Sequence, residues 1–399
     1  MGGRALACVK HPDQEESVLE RNRRNRTLLF LAYALQGMVF YNPIATLYRL
    51  QAGVTLTQMQ VIEGISLLVM LGLEVPWGRW ADRIGHRRPM VLCFGVLALS
   101  KVVFWRAETV WGFLAERLLL SFARAGLSGC DTAYLYACCR DPEEHRRAFA
   151  RWQGVQVAGL LLASLAWPML GGDYRLSALL TVGSYTLALG VTLLLREPEG
   201  QRAEEQAREP RPPLGEMLRE SRRMLAFLLG VALFDQTAQA AVTFFSQLQY
   251  GRCGIAEGAF GVLAALSAGA GLSGALAHRM VGPGGPERVC RRLITVGGAV
   301  CLLLAVTTAP AVSALGIPLL AALRSCAAPL ALAVQNERVS PGGRAARLSC
   351  NAMVLECTGV LLAPVLGWTA EQWLPGGFLL GAVFCWAGSL LLWQDERRR

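Results

Sequence analysis

Two acidic side chains of this chain lie inside long apolar stretches, where ionisable groups are rare. Asp235 belongs to the stretch 224–249 and Glu356 to the stretch 347–370. A low dielectric favours the neutral acid, whereas a nearby Arg favours the carboxylate, so such a group can take up and release a proton as its Arg partner moves. Both acids are therefore predicted to couple a process to protons. A fixed ion pair is the alternative for each.

The polar residues around Asp235 have a helical spacing. Gln239 lies one turn further on, and Thr243 and Ser246 continue the same face if the helix is regular. Gln239 is predicted to contact a substrate, together with Gln36 from the first apolar stretch.

Two Arg residues, Arg124 and Arg324, occupy corresponding places in two other apolar stretches. A guanidinium group is a permanently charged, forked donor, so two of them facing a cavity would hold a carboxylate or a phosphate. Both are predicted to bind substrate. Internal pairing is the alternative, namely Arg124 with Asp131 or Asp235, and Arg324 with Glu356.

A spacing of seven links Arg117, Arg124 and Asp131. In a continuous helix this spacing places all three on one stripe, two turns apart. Asp131 is accordingly a third candidate for proton coupling. For Arg117, pairing with Glu116 or Glu63 is one possible role.

These groups require a membrane-spanning scaffold, and the composition supports one. Of 399 residues, 53% are hydrophobic and 17% are charged, which is too apolar for an ordinary globular protein. About 20 apolar residues are needed to cross a hydrocarbon core of about 30 Å. Twelve such stretches occur, at 27–48, 58–79, 89–107, 109–137, 150–171, 174–195, 224–249, 255–277, 290–309, 312–336, 347–370 and 374–393.

Arg residues are segregated into the amino-terminal tail and every second connection. These connections lie at 83–88, 140–151, 196–223, 288–292 and 338–347, and the end of the chain at 397–399 is also basic. By the positive-inside rule, both termini are predicted to be cytoplasmic in a multi-pass protein of the plasma (cytoplasmic) membrane. The net charge of +10 results from this topology. Because no basic and aromatic patch lies on one soluble domain, no nucleic-acid partner is predicted.

A polar, Pro-rich segment divides the chain into two six-helix halves. Gly78 and Arg83 recur as Gly274 and Arg279, 196 positions later, which indicates two repeats. The predicted parts are a cytoplasmic tail (1–26), a six-helix bundle (27–195), a cytoplasmic linker (196–222), a second bundle (223–394) and a short tail (395–399).

The connection at 78–89 contains the pattern Gly-x-x-x-Asp-Arg-x-Gly-x-Arg-Arg. It closely resembles the loop between helices two and three of the major facilitator superfamily of secondary transporters. The resemblance implies an all-α membrane fold of twelve helices in two pseudo-symmetric bundles. It also implies a conformational latch, in which the acid docks at the amino-terminal end of helix eleven and the basic residues pair across the halves. The latch residues are Gly78, Asp82, Arg83, Gly85, Arg87 and Arg88.

Two further patterns resemble motifs of the same superfamily. Residues 168–172, Pro-Met-Leu-Gly-Gly, resemble the tail of the antiporter motif of drug exporters, with Trp167 in place of the leading glycine. This resemblance implies export, and a helix-end kink is the alternative. Arg117 resembles the Arg of the helix-four motif Arg-x-x-x-Gly, with Ser121 replacing the glycine. This resemblance implies a role for Arg117 in helix packing or proton transfer, with the pairing to Glu116 or Glu63 as the alternative.

The sequence contains no nucleotide-binding loop, zinc-protease motif or plausible catalytic triad, so neither an enzyme nor a cofactor is predicted. The favoured function is proton-coupled export of a small organic or amphipathic compound by alternating access. Uptake or exchange of an organic anion is the alternative, and a non-transporting receptor or scaffold on this fold is a remote one. The expected partners are the substrate, protons and the lipid bilayer, and a monomer is expected.

Overall fold

The computed structural model describes residues 12–198, 213–340 and 342–398, and within them the chain forms helices and connections without a strand. The all-α prediction is confirmed. The α-helices are α1 (Pro12–Gly37), α2 (Ala45–Gln51), α3 (Leu56–Ile84), α4 (Arg87–Arg106), α5 (Val110–Leu127), α6 (Cys130–Ala137), α7 (Pro142–Leu165), α8 (Tyr174–Leu193), α9 (Leu214–Arg223), α10 (Leu225–Ala240), α11 (Ser246–Arg252), α12 (Phe260–Ala270), α13 (Gly285–Val306), α14 (Pro310–Arg338), α15 (Arg344–Gln372) and α16 (Leu374–Arg397).

Ten helical runs in the described residues are long and apolar enough to cross a membrane. Two predicted spans, which correspond to α5 and α7, are not among them. Glu116, Arg117 and Arg124 give α5 three charges, and α7 begins with a charged first turn and retains Arg151. The order of the helices agrees with twelve spans, and the number of crossings stays a prediction.

The first predicted span, 27–48, is broken and not continuous. Helix α1 ends at Gly37, a short turn covers Asn42–Ile44, and α2 begins directly after it. Pro43 lies in that turn. Because its nitrogen carries no hydrogen and its ring blocks the preceding turn, a regular helix does not pass through it.

The fourth predicted span, 109–137, is broken as well. Gly129 has a φ of 85°, a conformation that favours glycine, and it separates α5 from α6. Asp131 therefore begins a new helix. The prediction of one continuous stripe through Arg117, Arg124 and Asp131 is wrong for this reason.

Helix α10 runs into α11 through a π-helical turn, Ala241–Phe245. Such a turn has a wider hydrogen-bond spacing than an α-helix and shifts the register of the residues after it. The regular face predicted from Asp235 through Thr243 and Ser246 is interrupted at this point.

The two halves pack against each other through α3 with α15 and α7 with α12. Every hydrogen bond between them in the described residues lies at the end of the molecule that carries the Arg-poor connections. We call this the closed end, and the opposite end the Arg-rich end. The bonds join Asn42, Thr46 and Leu47 to Gln247, Thr46 to Thr243, Thr57 to Glu371, and Trp167 and Tyr174 to Glu257.

Helix α9 begins within the predicted linker, ends one residue beyond it, and is attached to the start of α15. The Arg347 guanidinium pairs with the carboxylates of Glu216 at 2.6 Å and Glu220 at 2.5 Å. Burial acts to raise the pKa of Glu220, but hydrogen bonds from Ser340 and Arg347 outweigh it and hold the pKa below its usual value. The predicted limits of the domains stay a prediction.

Candidate functional site

An Arg-centred cluster joins α10 to α14. The guanidinium of Arg324 donates from Nε to Oδ1 of Asp235 at 2.7 Å and from Nη2 to Oδ2 at 3.3 Å. Its Nη1 donates to the side-chain oxygen of Gln239. The one-turn spacing of Asp235 and Gln239 therefore brings both to the same guanidinium, and the forked geometry suits Arg better than Lys.

This cluster is partly exposed although it lies between helices. The side chains of Arg324 and Asp235 are each 37% exposed. The pair is thus neither sealed in the core nor fully hydrated, which is the setting in which a substrate or a proton can compete for one partner.

Glu356 of α15 adds an acid that lies close to the cluster. It is half-buried and makes no ion pair or hydrogen bond among the described residues. The charges that act on it belong to Asp235, Arg324 and Glu74. The alternative pairing of Arg324 with Glu356 is wrong, because the Arg324 guanidinium pairs with Asp235. Arg324 balances Asp235, and the charge of Glu356 is left without its own counter-ion.

Arg124 occupies the last turn of α5 and is exposed. No carboxylate pairs with it in the described part of the chain, so the predicted alternatives with Asp131 and Asp235 are both wrong. Asp131 instead accepts a hydrogen bond of 2.9 Å from the hydroxyl of Tyr33. No described contact links Arg124 to Arg324, and the substrate role of both stays a prediction.

Gln36 lies in the last turn of α1, beside the break in the first predicted span. Its side-chain oxygen is enclosed and has no hydrogen-bond partner among the described residues. An enclosed acceptor without a partner is uncommon in folded proteins. This oxygen is available to a ligand or to water, and the predicted substrate contact stays a prediction.

A buried ion pair in the first half was missed from the sequence. Lys101 of α4 donates to Glu116 of α5 at 2.8 Å and to the Tyr41 hydroxyl at 3.1 Å. The side chains of the pair are only 4% and 1% exposed. Close by, Arg117 pairs with Glu63 at 2.8 Å, as one of its predicted alternatives.

A signal for the Lys101–Glu116 pair was present in the sequence. Lys101 lies five residues before the end of α4, and Glu116 lies six residues after the start of α5. In two antiparallel helices joined by a short turn, residues about equally far from the turn lie at about the same depth in the membrane.

The loop of the predicted latch is only partly described. The described part of the chain does not include the side chains of Asp82 and Arg83 or the surroundings of Gly78. Docking of the acid on the eleventh span, which is α15, therefore stays a prediction. Gly85 has a φ of 82°, and a Cβ there would approach Oε1 of Glu197 to 2.8 Å. Glycine is favoured at this position because of the positive φ, whereas the flexible Glu197 side chain could move away from a Cβ.

The described bonds of His86 and Arg87 in this loop stay within the first half. The backbone N–H groups of His86 and Arg87 donate to the Glu197 carboxylate at 3.0 and 3.3 Å. The Arg87 guanidinium donates to the carbonyls of Leu193 (3.0 Å) and Leu195. Arg87 thus makes no cross-half pair in this conformation, Arg88 is exposed, and pairing of the latch across the halves stays a prediction.

The segment that resembles the antiporter motif follows the end of α7, which forms the fifth predicted span. Residues Trp167–Leu170 form a short 3₁₀ turn, and Gly171 and Gly172 come next with φ of 62° and 79°. Trp167 is buried, and its indole N–H donates to the Glu257 carbonyl of the other half at 2.8 Å. The segment thus forms a helix end that helps to hold the closed end together.

Comparison with known proteins identifies the architecture. Residues 29–323 match the family model of the Major Facilitator Superfamily. A point mutant of the nucleoside transporter NupG superposes with a TM-score of 0.78 at 15% identity, covering 94% of this chain and 99% of that one. A bacterial homolog of the human lysosomal transporter Spinster, in an inward-facing and occupied conformation, gives 0.73 at 14% identity, covering 97% and 98%.

Two other proteins are similar to a lesser degree. The human organic anion transporter MFSD10 (TETRAN) superposes with a TM-score of 0.57 at 18% identity, covering 93% of this chain and 99% of that one. The methyl viologen resistance protein SmvA of Salmonella typhimurium is 25% identical over 145 residues, or 36% of this chain. That match spans 28% of the length of SmvA.

Proposed function

The chain belongs to the Major Facilitator Superfamily, a family of transporters and not of enzymes, and on that premise we propose that it exports a small organic or amphipathic compound in exchange for protons. The observation that carries the proposal is the arrangement of Arg324, Asp235 and Glu356. Two of these charges cancel, and the third belongs to a half-buried acid that has no ion-pair partner in the described residues. Such an acid holds a proton when the site is dry and releases it when water enters.

Coupling results from competition between the compound and the proton for Glu356. With Glu356 protonated, Arg324 stays on Asp235, and the three groups together carry no net charge. Binding of a compound with a cationic or hydrogen-bond donor group beside Glu356 favours the carboxylate, so the proton is released, and a proton on Glu356 in turn weakens binding of the compound. Gln239 accepts a hydrogen bond from Arg324 and keeps the guanidinium on Asp235 in both states.

Alternating access requires the two halves to close one end while the other opens. Hydrogen bonds between the halves in the described residues are confined to the closed end. We place the Arg-rich end and both termini in the cytoplasm, in the plasma membrane, by the positive-inside rule. In that orientation the described conformation faces the cytoplasm, and the protein works as a monomer in the bilayer.

The direction of transport is supported by two resemblances. SmvA is named for resistance to methyl viologen, and its partial similarity favours export of an organic compound. The Pro-x-x-Gly-Gly segment at the end of helix five also resembles that of exporters.

Arg124 favours a second function, uptake or exchange of an organic anion. Its guanidinium is exposed and has no carboxylate partner in the described residues. An unpaired Arg adds one positive charge to the first half, and this charge suits a carboxylate or phosphate group. A structural relative, MFSD10, is described as an organic anion transporter.

A transport assay in proteoliposomes distinguishes the two functions. Vesicles containing the protein are loaded with organic cations, neutral amphiphiles or carboxylates, with and without an imposed pH gradient. We expect a cationic or neutral compound to move uphill only with the gradient. Counterflow of a carboxylate without a gradient, lost in Arg124→Gln and retained in the control Arg175→Gln, would establish anion exchange instead. Arg175 is a suitable control because it is exposed and pairs with Glu108 at the closed end.

A further inference from the structure

The first predicted span is broken between α1 and α2, and the break leaves backbone N–H groups at the start of α2 that α2 itself does not satisfy. Helix α2 begins at Ala45, so the N–H groups of Thr46 and Leu47 lie in its first turn. First-turn N–H groups have no acceptor within their own helix. Thr46 is fully buried, and an unsatisfied donor there would be unfavourable.

A side chain of the opposite half supplies the missing acceptor. The Oε1 atom of Gln247, on α11, accepts from Thr46 N at 2.9 Å and from Leu47 N at 3.1 Å. Its Nε2 donates to the Asn42 carbonyl at 3.4 Å. Gln247 is 5% exposed and Thr46 is fully buried, so the bond between these two is shielded from water. This is the arrangement of a helix N-cap, provided by another part of the fold.

A second bond reinforces the same contact. The Thr46 hydroxyl donates to the Thr243 carbonyl at 3.2 Å, within the π-helical turn of Ala241–Phe245. A π turn is a local departure from regular helix and a place at which a helix can change shape. Gln247 thus lies just beyond a deformable turn, on the same run of helix as Asp235 and Gln239.

We propose that Gln247 is a gate residue, whose amide caps α2 across the two halves and holds the closed end shut. Opening of this end separates α2 from α11 and frees the two N–H groups, which water then hydrates. The cap therefore contributes directly to the balance between the two conformations. Because the π turn connects Gln247 to the helix that carries Asp235 and Gln239, a change at that cluster can be transmitted to the gate.

Hydrogen–deuterium exchange tests the gate without any knowledge of the substrate. The full-length protein in lipid nanodiscs is digested after labelling, and exchange is read at Thr46 and Leu47. Gln247→Leu has a similar volume but accepts no hydrogen bond, and Gln247→Asn is one methylene too short to reach. In both variants we expect exchange at these two N–H groups to rise about tenfold.

Gln249→Leu is the matched control. Gln249 lies on the same helix and is fully buried, but its amide donates to the Leu304 carbonyl and the Ser313 hydroxyl within its own half. Exchange at Thr46 and Leu47 should stay at the wild-type rate in this variant. Wild-type exchange in both Gln247 variants, or an equal rise in the Gln249 variant, would overturn the proposal. Absence of transport in the vesicle assay would refute the proposed function and leave this result untouched.

Discussion

Neutralising the Arg324–Asp235 pair one partner at a time gives the sharpest information about the cluster. Arg324→Gln leaves the Asp235 carboxylate without its cation, and Asp235→Asn leaves the guanidinium without its anion. In the double variant neither charge remains, and an uncharged pair of amides replaces the ion pair. We expect the loss of unfolding free energy in the double variant to be smaller than the sum of the losses in the two single variants.

The expected coupling energy depends on the geometry and exposure of the pair. Two N–H groups of Arg324 reach Asp235 at 2.7 and 3.3 Å. Hydrogen bonds to charged groups contribute about 1.5–3 kcal/mol when shielded, and fully exposed pairs contribute about 0.2–1 kcal/mol. Since both side chains are 37% exposed, the coupling energy should be about 1–2 kcal/mol.

A double-mutant cycle on unfolding in detergent measures this energy, because the effects of each change alone cancel in it. The cycle Arg175→Gln with Glu108→Gln is the matched control, since that pair is 67% and 72% exposed. Its coupling energy should stay below about 0.5 kcal/mol. If the Arg324–Asp235 coupling were as small as that of the control, the two residues would not act as a unit and the reasoning about the cluster would be wrong.

Three further outcomes are expected from stability measurements on purified protein. Lys101→Met and Glu116→Gln should each lower the free energy of unfolding by about 3–5 kcal/mol, because a buried charge loses its partner, and the double variant should lose less than the sum. Gly85→Ala should lower it by about 1–3 kcal/mol because of its left-handed φ, while Gly95→Ala, in open helical surroundings, should change it little. The pKa of Glu220 is lowered in the folded state. Its contribution is therefore complete above the ordinary Glu pKa of about 4.3 and is lost as pH falls through the lowered pKa, so acid melts should show a smaller loss in Glu220→Gln; parallel pH profiles would contradict this.

Local spacing was sufficient to predict some features of the cluster. Asp235 and Gln239 are four residues apart on an uninterrupted part of α10, so helical periodicity alone places both on one face. The partner of Arg324 could not be predicted in the same way. It depends on how α14 is rotated against α10 and α15, and the sequence of one helix carries no information about that rotation.

The breaks between α1 and α2 and between α5 and α6 show where helical periodicity fails to predict which residues share a face. Asn42-Pro43 and Gly129 were visible in the sequence, but a single Pro or Gly within an apolar stretch often remains in a continuous helix in a membrane. Once α5 ends before Gly129, Asp131 leaves the stripe and meets Tyr33 instead. The acceptor for α2 lies 201 residues away at Gln247, so only the tertiary structure reveals it.

The coupling of protons to substrate through Glu356 is tested most directly by measuring proton movement itself. Vesicles containing the protein and an internal pH-sensitive dye are given a compound found to be transported, in the absence of any imposed gradient. The wild-type protein should move protons opposite to the compound. Glu356→Gln should exchange the compound across the membrane without moving protons, and the exposed control Glu108→Gln should behave as wild type. Transport by the wild-type protein without proton movement, or unchanged proton movement in Glu356→Gln, would contradict the account.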